Sequence, residues 1–212
     1  MSSPSPLARA FYARDPRSVA ADLIGCHLVH RLPDGERLVL RLVEVEAYLG
    51  DGTDPASHAH RGETARNRSM FGPAGTLYAY RSYGIHTCVN VVCGPVGHAA
   101  AVLLRAGEAL CGVERMRAHR GLEAGAALRR IASGPGRFAE AIGLTLADDG
   151  HSLLRGPLTI RPAGPGDPRP QLETGPRVGI TKAADLPLRF FDAASDSVSL
   201  FRRGTGKRRP SS

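Results

Sequence analysis

Two glutamates, two histidines and a tyrosine fall within one twenty-residue run, VEVEAYLGDGTDPASHAHRG, residues 43–62. Side-chain types at this spacing are open to three kinds of use. Glu44 and Glu46 could be working carboxylates, His58 and His60 could join a glutamate on a metal, or the run could be plain solvated surface. Side chains on a strand alternate faces, so an uninterrupted strand puts Glu44 and Glu46 on the side of Leu38, Leu40 and Leu42. A carboxylate that follows three leucines on one face lies at a pocket edge or against a cation, unless the strand has already reached solvent. Burial there raises its pKa and makes it a better base near neutrality.

Metal binding is the weaker reading. His58-x-His60 and His86-x-Cys88 each bring two donors together, but zinc sites built from these ligands show tighter or repeated patterns such as HExxH or paired CxxC. Neither pattern occurs in the chain. Cys26, Cys88, Cys93 and Cys111 form no CxxC pair and no disulfide-framework spacing, which predicts reduced, partly buried thiols.

Aromatic placement adds a different clue. The chain has no Trp and 5 Tyr, and Tyr48, Tyr78, Tyr80 and Tyr83 all lie between residues 48 and 83. Tyr78 and Tyr80 share a strand face, where ordinary packing accounts for at least one of them. Tyr83 falls at a hairpin tip, poorly placed for a core and well placed to wedge between bases. The net charge of +8 points the same way, and lysine is present only at Lys182 and Lys207. A GC-rich genome would explain arginine over lysine but not the excess of base over acid. Guanidinium forks suit phosphate, so a nucleic-acid partner is the favoured reading, with a pocket that stacks a nucleobase.

The elements that must position these groups are legible. A chain of 212 residues with 42% apolar and 23% charged content suits a single buried core. No apolar run reaches the length of a membrane span, and MSSPSPLARAFYARDP has no secretory apolar segment, so a cytoplasmic location is expected. Asp15 and Pro16 read as N-cap and first turn of a helix closed by Gly25. CHLVHRL and RLVLRLVEVEAYL flank a Pro-Asp-Gly turn as a hairpin, and residues 76–92 form a second hairpin turning near Ser82, Tyr83 and Gly84. Residues 50–76 make a long loop, of the kind usually kept for function. Residues 99–106 read as a central strand, GVERMRAHRG and GRFAEAIGL as helices, residues 161–176 as a loop, and RVGIT and RFF as late strands. Residues 1–10 and 202–212 carry no packing pattern and read as a flexible N-terminus and a basic flexible tail. The expected fold class is α+β, one domain with a curved, mostly antiparallel sheet and flanking helices.

Taken together, VEVEAYLG, DPASHAHRG, ARNRSMFGPAGTLYAYRSYGIHTCVNVV and AVLLRA, then SGPGRF and RVGITKAADLPLRFF, closely resemble the alkyladenine (3-methyladenine) DNA glycosylase family over residues 11–201. Several separated blocks in one order are more specific than any single motif. The resemblance implies a mixed α/β domain with a protruding β-hairpin that enters the DNA minor groove, distinct from helix-hairpin-helix glycosylases. It implies excision of 3-methyladenine, and variously 7-methylguanine, hypoxanthine and ethenoadenine, from double-stranded DNA. It further implies no cofactor, no metal, no lyase activity, and a monomer without an obligate protein partner.

By position, the resemblance assigns Glu46 as the base that activates water, with Arg105 and the carbonyl of Val178 completing the water site. Tyr48, His58 and Tyr80 would enclose the flipped base, with His60 competing for the place of His58. Asn90 would oppose the amino group of normal guanine, and Tyr83 would fill the vacated stack. Glu44 would support the site from behind. No general acid is evident, so neutral lesions should react more slowly unless His58 or a water chain supplies a proton. Two other functions compete: a catalytically inactive nucleic-acid-binding relative, and a metal-dependent nuclease or deaminase using His58, His60 and Glu46. Binding alone would have no use for Glu46 beside Arg105.

Overall fold

The computed structural model describes residues 4–50 and 52–201. A short helix α1 (Arg9–Tyr12) leads into α2 (Pro16–Leu23). The Asp15 side chain accepts from the Arg17 N–H at 2.8 Å and Pro16 opens the first turn, as the sequence predicts. Strands β1 (His27–Arg31) and β2 (Arg37–Tyr48) pair antiparallel across a tight turn in which Gly35 adopts φ 89°. After the long loop come β3 (Leu77–Ser82) and β4 (His86–Cys93), again a hairpin, and then β5 (Ala100–Cys111). Helices α3 (Val113–His119) and α4 (Pro135–Ala141) follow, then β6 (Leu158–Arg161), β7 (Leu172–Gly175) and β8 (Arg189–Asp192).

All the pairings are antiparallel, in the order β3-β4-β5-β2-β1-β6, with β8 joining β2 and β7 joining β8. This is a single α+β domain around a curled antiparallel sheet. One sheet face carries the core: Leu28, Leu38, Leu40, Leu42, Val89, Val91, Val102 and Leu104 pack against Leu23, Met116, Phe138 and Ile142 of the helices. Two glycines allow close approach there. A Cβ on Gly107 would lie 3.0 Å from Leu40 Cβ and 3.2 Å from the Phe138 ring, and β5 continues through this glycine past the expected end at 106. A Cβ on Gly136 would lie 2.9 Å from His86, so α4 can rest on the β3–β4 hairpin only with glycine there.

The alternation expected for β2 does not hold. Leu38, Leu40 and Leu42 face the core, but so do Val45 and Ala47. The register steps from Leu42 opposite Gly107, to Glu44 opposite Ala106, to Val45 opposite Leu104. Val43 is therefore one extra residue on β2 and Arg105 one extra on β5, two bulges back to back. They turn Glu44, Glu46 and Arg105 onto the face opposite the leucines.

Three other expectations are corrected. Residues 177–181 are not a strand: Gly179 has φ 75°, and the Val178 N–H is spent on a side chain rather than a ladder. Residues 172–175, expected within a loop, form β7, an exposed edge strand with no apolar alternation to reveal it. Within the first ten residues, Leu7 N–H donates to the Ile160 carbonyl at 2.8 Å, and Arg161 donates to the Pro4 carbonyl at 2.7 Å, so residues 4–10 are tied down. The basic tail, 202–212, lies outside the described residues. Among the described residues no helix is long and apolar enough to cross a membrane.

Candidate active site

The site occupies the sheet face opposite the main core, where β3, β4, β5 and β2 lie side by side. Even-numbered residues of β3 and β4 point to this face: Tyr78, Tyr80, Cys88 and Asn90. On β5 it is Leu103 and the bulged Arg105, and on β2 Glu46 and Tyr48. All of these except Glu46 border a cavity of about 450 Å³, closed at its sides by His58 and Arg66 of the long loop and by Val178, Gly179 and Ile180. The loop is held there by a second, smaller core in which Met70 and Phe71 pack on Tyr78, Val92 and Ala101. Buried Asn67 braces its inside, donating to the carbonyls of His58 (2.9 Å) and Gly62 (3.0 Å) while accepting from the Thr64 N–H.

Glu46 is fully buried. Its Oε1 accepts from the Val178 N–H at 2.7 Å, with Arg105 Nη1 at 3.4 Å, and its Oε2 accepts from the Tyr48 hydroxyl at 2.9 Å. The three partners Tyr48, Arg105 and Val178 all line the cavity, so the carboxylate stands immediately behind the wall they make. Burial pushes the Glu46 pKa up, and the Arg105 charge, the Val178 N–H and the Tyr48 hydroxyl oppose that rise without cancelling it. The group toward which the structure turns Glu46 is the Val178 N–H. The resemblance had drawn attention to the Val178 carbonyl instead.

Glu44 is the anchor beneath. Its Oε1 accepts from Arg105 Nε at 3.0 Å, Arg189 Nε at 2.7 Å and the Ser199 hydroxyl at 2.9 Å, and its Oε2 from the Ser199 N–H at 2.7 Å. Two guanidinium groups on one fully buried carboxylate fix the direction of Arg105, leaving Nη1 to face Glu46. Glu44 thus acts on the site by orienting Arg105, and its charge adds to the rise in the Glu46 pKa.

The aromatic walls meet at defined angles. Tyr78 and Tyr80 stack at 5.5 Å between centroids, and the His58 ring meets Tyr80 edge-on at 4.4 Å. His58 Nδ1 lies 3.0 Å from the Tyr78 hydroxyl. Although the outer side of His58 is open to solvent, desolvation of its inner edge and the nearby Arg66 charge lower its pKa, so the ring is neutral at neutral pH. His60 turns away, with Nδ1 2.8 Å from the Gly52 carbonyl, and does not line the cavity. Asn90 is buried, and its amide donates to the Tyr78 carbonyl at 3.2 Å. Tyr83 sits in the β3–β4 turn with φ 50° and is 87% exposed, beside Ile85. Among the described residues no three His, Cys, Asp or Glu side chains gather as a metal-ligand set.

Two residues that matter here escaped the sequence reading. Asp54 and Arg177 form a bidentate pair, 2.6 and 2.9 Å, with both side chains fully buried. The same guanidinium donates to the Ala47 carbonyl at 3.1 Å and lies 4.6 Å over the Tyr48 ring. It therefore ties the long loop, the end of β2 and the 177–180 segment at one point, next to the Val178 N–H. Asp54 precedes a proline in a Gly/Asp-rich run and Arg177 sits among many arginines, so neither position announces a partner 123 residues away.

The model of the methylpurine-DNA glycosylase family matches residues 10–196. A protein of Methanoculleus marisnigri is 52% identical over 195 residues, covering 91% of this chain and 98% of its own. A Rhodopseudomonas palustris protein is 50% identical over 92% of this chain and 90% of its own, and one from Streptomyces avermitilis 46% identical over 97% and 96%. Each of the three is provisionally named a 3-methyladenine DNA glycosylase. The matched region contains every wall of the cavity as well as Glu44 and Glu46, and the chain belongs to the methylpurine-DNA glycosylase family.

Proposed function

We propose that the protein removes 3-methyladenine and related damaged purines from duplex DNA by hydrolysis of the N-glycosidic bond, leaving an abasic site. The observation that carries the reading is Glu46: a desolvated carboxylate, oriented by Tyr48, Arg105 and Val178, directly behind an aromatic cavity. A nucleic-acid-binding relative without chemistry would gain nothing from burying an ionisable group there, since burial of charge is costly.

In the proposed reaction the damaged nucleotide is extruded and its base enters the cavity between Tyr48, Tyr80 and His58. A water held near Arg105 and Val178 attacks the anomeric carbon. Its oxygen forms the new bond, the electron pair of the glycosidic bond leaves with the purine, and Glu46 takes the water proton. The carboxylate charge also favours the oxocarbenium-like transition state, as in inverting glycosidases. Cationic bases such as 3-methyladenine and 7-methylguanine leave as neutral species and stack well against electron-rich rings. Neutral hypoxanthine and ethenoadenine need a proton from elsewhere, and should be excised more slowly. The β3–β4 hairpin would enter the minor groove with Tyr83 in the vacated stack, and Asn90 would oppose the amino group of guanine. The activity is assigned to a monomer that needs no cofactor and has no lyase step, working on DNA in the cytoplasm.

Gel-based excision on duplexes each bearing one lesion tests this. Free base and an intact abasic strand are expected, with EDTA without effect. Glu46→Gln should abolish excision while lesion-DNA binding persists. Excision by Glu46→Gln at the unsubstituted rate, or strand cleavage without base release, would overturn the proposal.

A further inference from the structure

At the far end of β2 from the cavity, the same sheet face carries a second, separate recess. Tyr48 borders the first cavity and Val39 the second, about 30 Å apart along the strand. The second recess encloses about 310 Å³ over a floor that includes Val29 and Val39, and Arg31, Arg37 and Arg161 stand around it. Arg31 is directly opposite Arg37 in the β1–β2 ladder. Like charges placed opposite one another destabilise a sheet pair unless something neutralises them.

Among the described residues no carboxylate pairs with either of them. Asp34 and Glu36 bind Arg115, and Glu108 and Asp192 bind Arg41, while Asp167 lies 3.1 Å from His27, whose pKa burial lowers, and touches none of the three arginines. Arg31 and Arg37 are exposed, and among the described residues their side chains have neither ion pair nor hydrogen bond. Among the described residues the Arg161 side chain donates to the Pro4 carbonyl and the Thr159 hydroxyl, neither of which carries a charge. Three guanidinium groups thus stand around an apolar-floored groove, and among the described residues none of them has a carboxylate partner.

We propose that this groove binds the phosphate backbone of a second DNA segment, apart from the one held at the cavity. Spacing favours a backbone over a lone phosphate. Arg161 pairs across from His27, and Arg31 lies four residues further along β1, about 13 Å away. That length of duplex axis carries about four phosphates per strand. A duplex of about ten base pairs centred on the cavity extends about 17 Å to either side, too short to reach the groove.

The test uses the full chain, ten-base-pair duplexes and the variant Arg31→Gln/Arg37→Gln, whose substituted side chains hold nothing in the fold. Sedimentation at low salt should show two lesion-free duplexes per unsubstituted protein and one per variant. In the unsubstituted protein the second binding step should weaken with salt, with a log–log slope of about −3 for three arginine–phosphate contacts. Single-turnover excision from a ten-base-pair lesion duplex should be equal in the two proteins, which separates this groove from the glycosylase reading: loss of excision in both would sink that reading and leave this one standing. One duplex per unsubstituted protein, or a second duplex retained by the variant, overturns the proposal. So does inorganic pyrophosphate that binds the unsubstituted protein and not the variant when no second duplex binds, because the groove would then be a small-phosphate site.

Discussion

Asp54→Asn keeps the shape of the side chain and removes one charge from a pair that has no contact with solvent. Each carboxylate oxygen serves two donors: Oδ2 accepts from Arg177 Nη1 and, at 3.2 Å, the Leu49 N–H, and Oδ1 from Arg177 Nη2 and, at 3.0 Å, the Ala56 N–H. Replacing either oxygen with an amide nitrogen sets donors against donors and leaves the guanidinium buried without a charge partner. Breaking a buried pair from one side costs about 3–5 kcal/mol. Two charge-assisted hydrogen bonds at about 1.5–3 kcal/mol each give about 3–6 kcal/mol, an overlapping range.

The consequence for activity follows from what Arg177 touches. It holds the Ala47 carbonyl, lies over Tyr48, and immediately precedes Val178, whose N–H orients Glu46. If the 49–57 and 176–180 segments relax, two of the three Glu46 partners shift together. Misplacement on the order of 1 Å costs about 100-fold in rate. Urea unfolding should therefore show the loss of about 3–5 kcal/mol, and single-turnover excision at saturating DNA should fall about 100-fold, with little change in DNA affinity. The double variant Asp54→Asn/Arg177→Met should recover stability, since neither charge is then stranded, but remain slow, since nothing restores the contact over Tyr48. An excision rate within about twofold of the unsubstituted protein in Asp54→Asn, alongside the loss of stability, would refute the positioning role.

Further outcomes are expected. Because burial raises the Glu46 pKa, the acid limb of single-turnover excision should lie above the ordinary glutamate value of about 4.3; a limb at or below that value would mean another group is titrating. The same shift has a stability sign. A carboxyl whose folded pKa is raised costs stability as pH rises through that pKa, so Glu46→Gln should unfold no earlier than the unsubstituted protein at neutral pH, as thermal melts would show. Asp54 behaves oppositely. Burial alone would push its pKa up, but the Arg177 hydrogen bonds and charge hold it down, so its contribution is present above the ordinary aspartate range and lost as pH falls through the depressed value. Tyr83→Ser removes a side chain that is 87% exposed; stability should stay within about 0.5 kcal/mol, while lesion-DNA binding weakens by about 1–3 kcal/mol, read by fluorescence of an ethenoadenine duplex. His58→Ala should alter excision and His60→Ala should not; equal effects would remove His58 from the cavity wall.

Most of the scaffold was legible because its signals are local. The Asp15–Pro16 helix start, the Pro-Asp-Gly turn and the hairpin turn at Tyr83 each depend on a few adjacent residues whose backbone preferences agree. β7 was invisible because an exposed edge strand needs only backbone partners, and those lie on β8. The Asp54–Arg177 pair was invisible for a related reason: a long-range ion pair has no periodicity, and 28 Lys and Arg residues offer too many candidates.

The two glutamates show where local rules give the right residues and the wrong geometry. Strict alternation puts Glu44 and Glu46 beneath the leucines, inside a core with no cation to receive them. Val43 and Arg105, one extra residue on each of two paired strands, reverse the faces between Leu42 and Val45 and restore the register beyond. A bulge on one strand alone would shift every later cross-strand pair by one residue. Two opposed bulges leave Val45, Glu46, Ala47 and Tyr48 paired in order with Leu104, Leu103, Val102 and Ala101. The extra residue on β5 is itself the arginine that bridges Glu44 and Glu46. The irregularity that turns the carboxylates away from the core is thus the one that brings their counter-charge, and neither could be moved without the other.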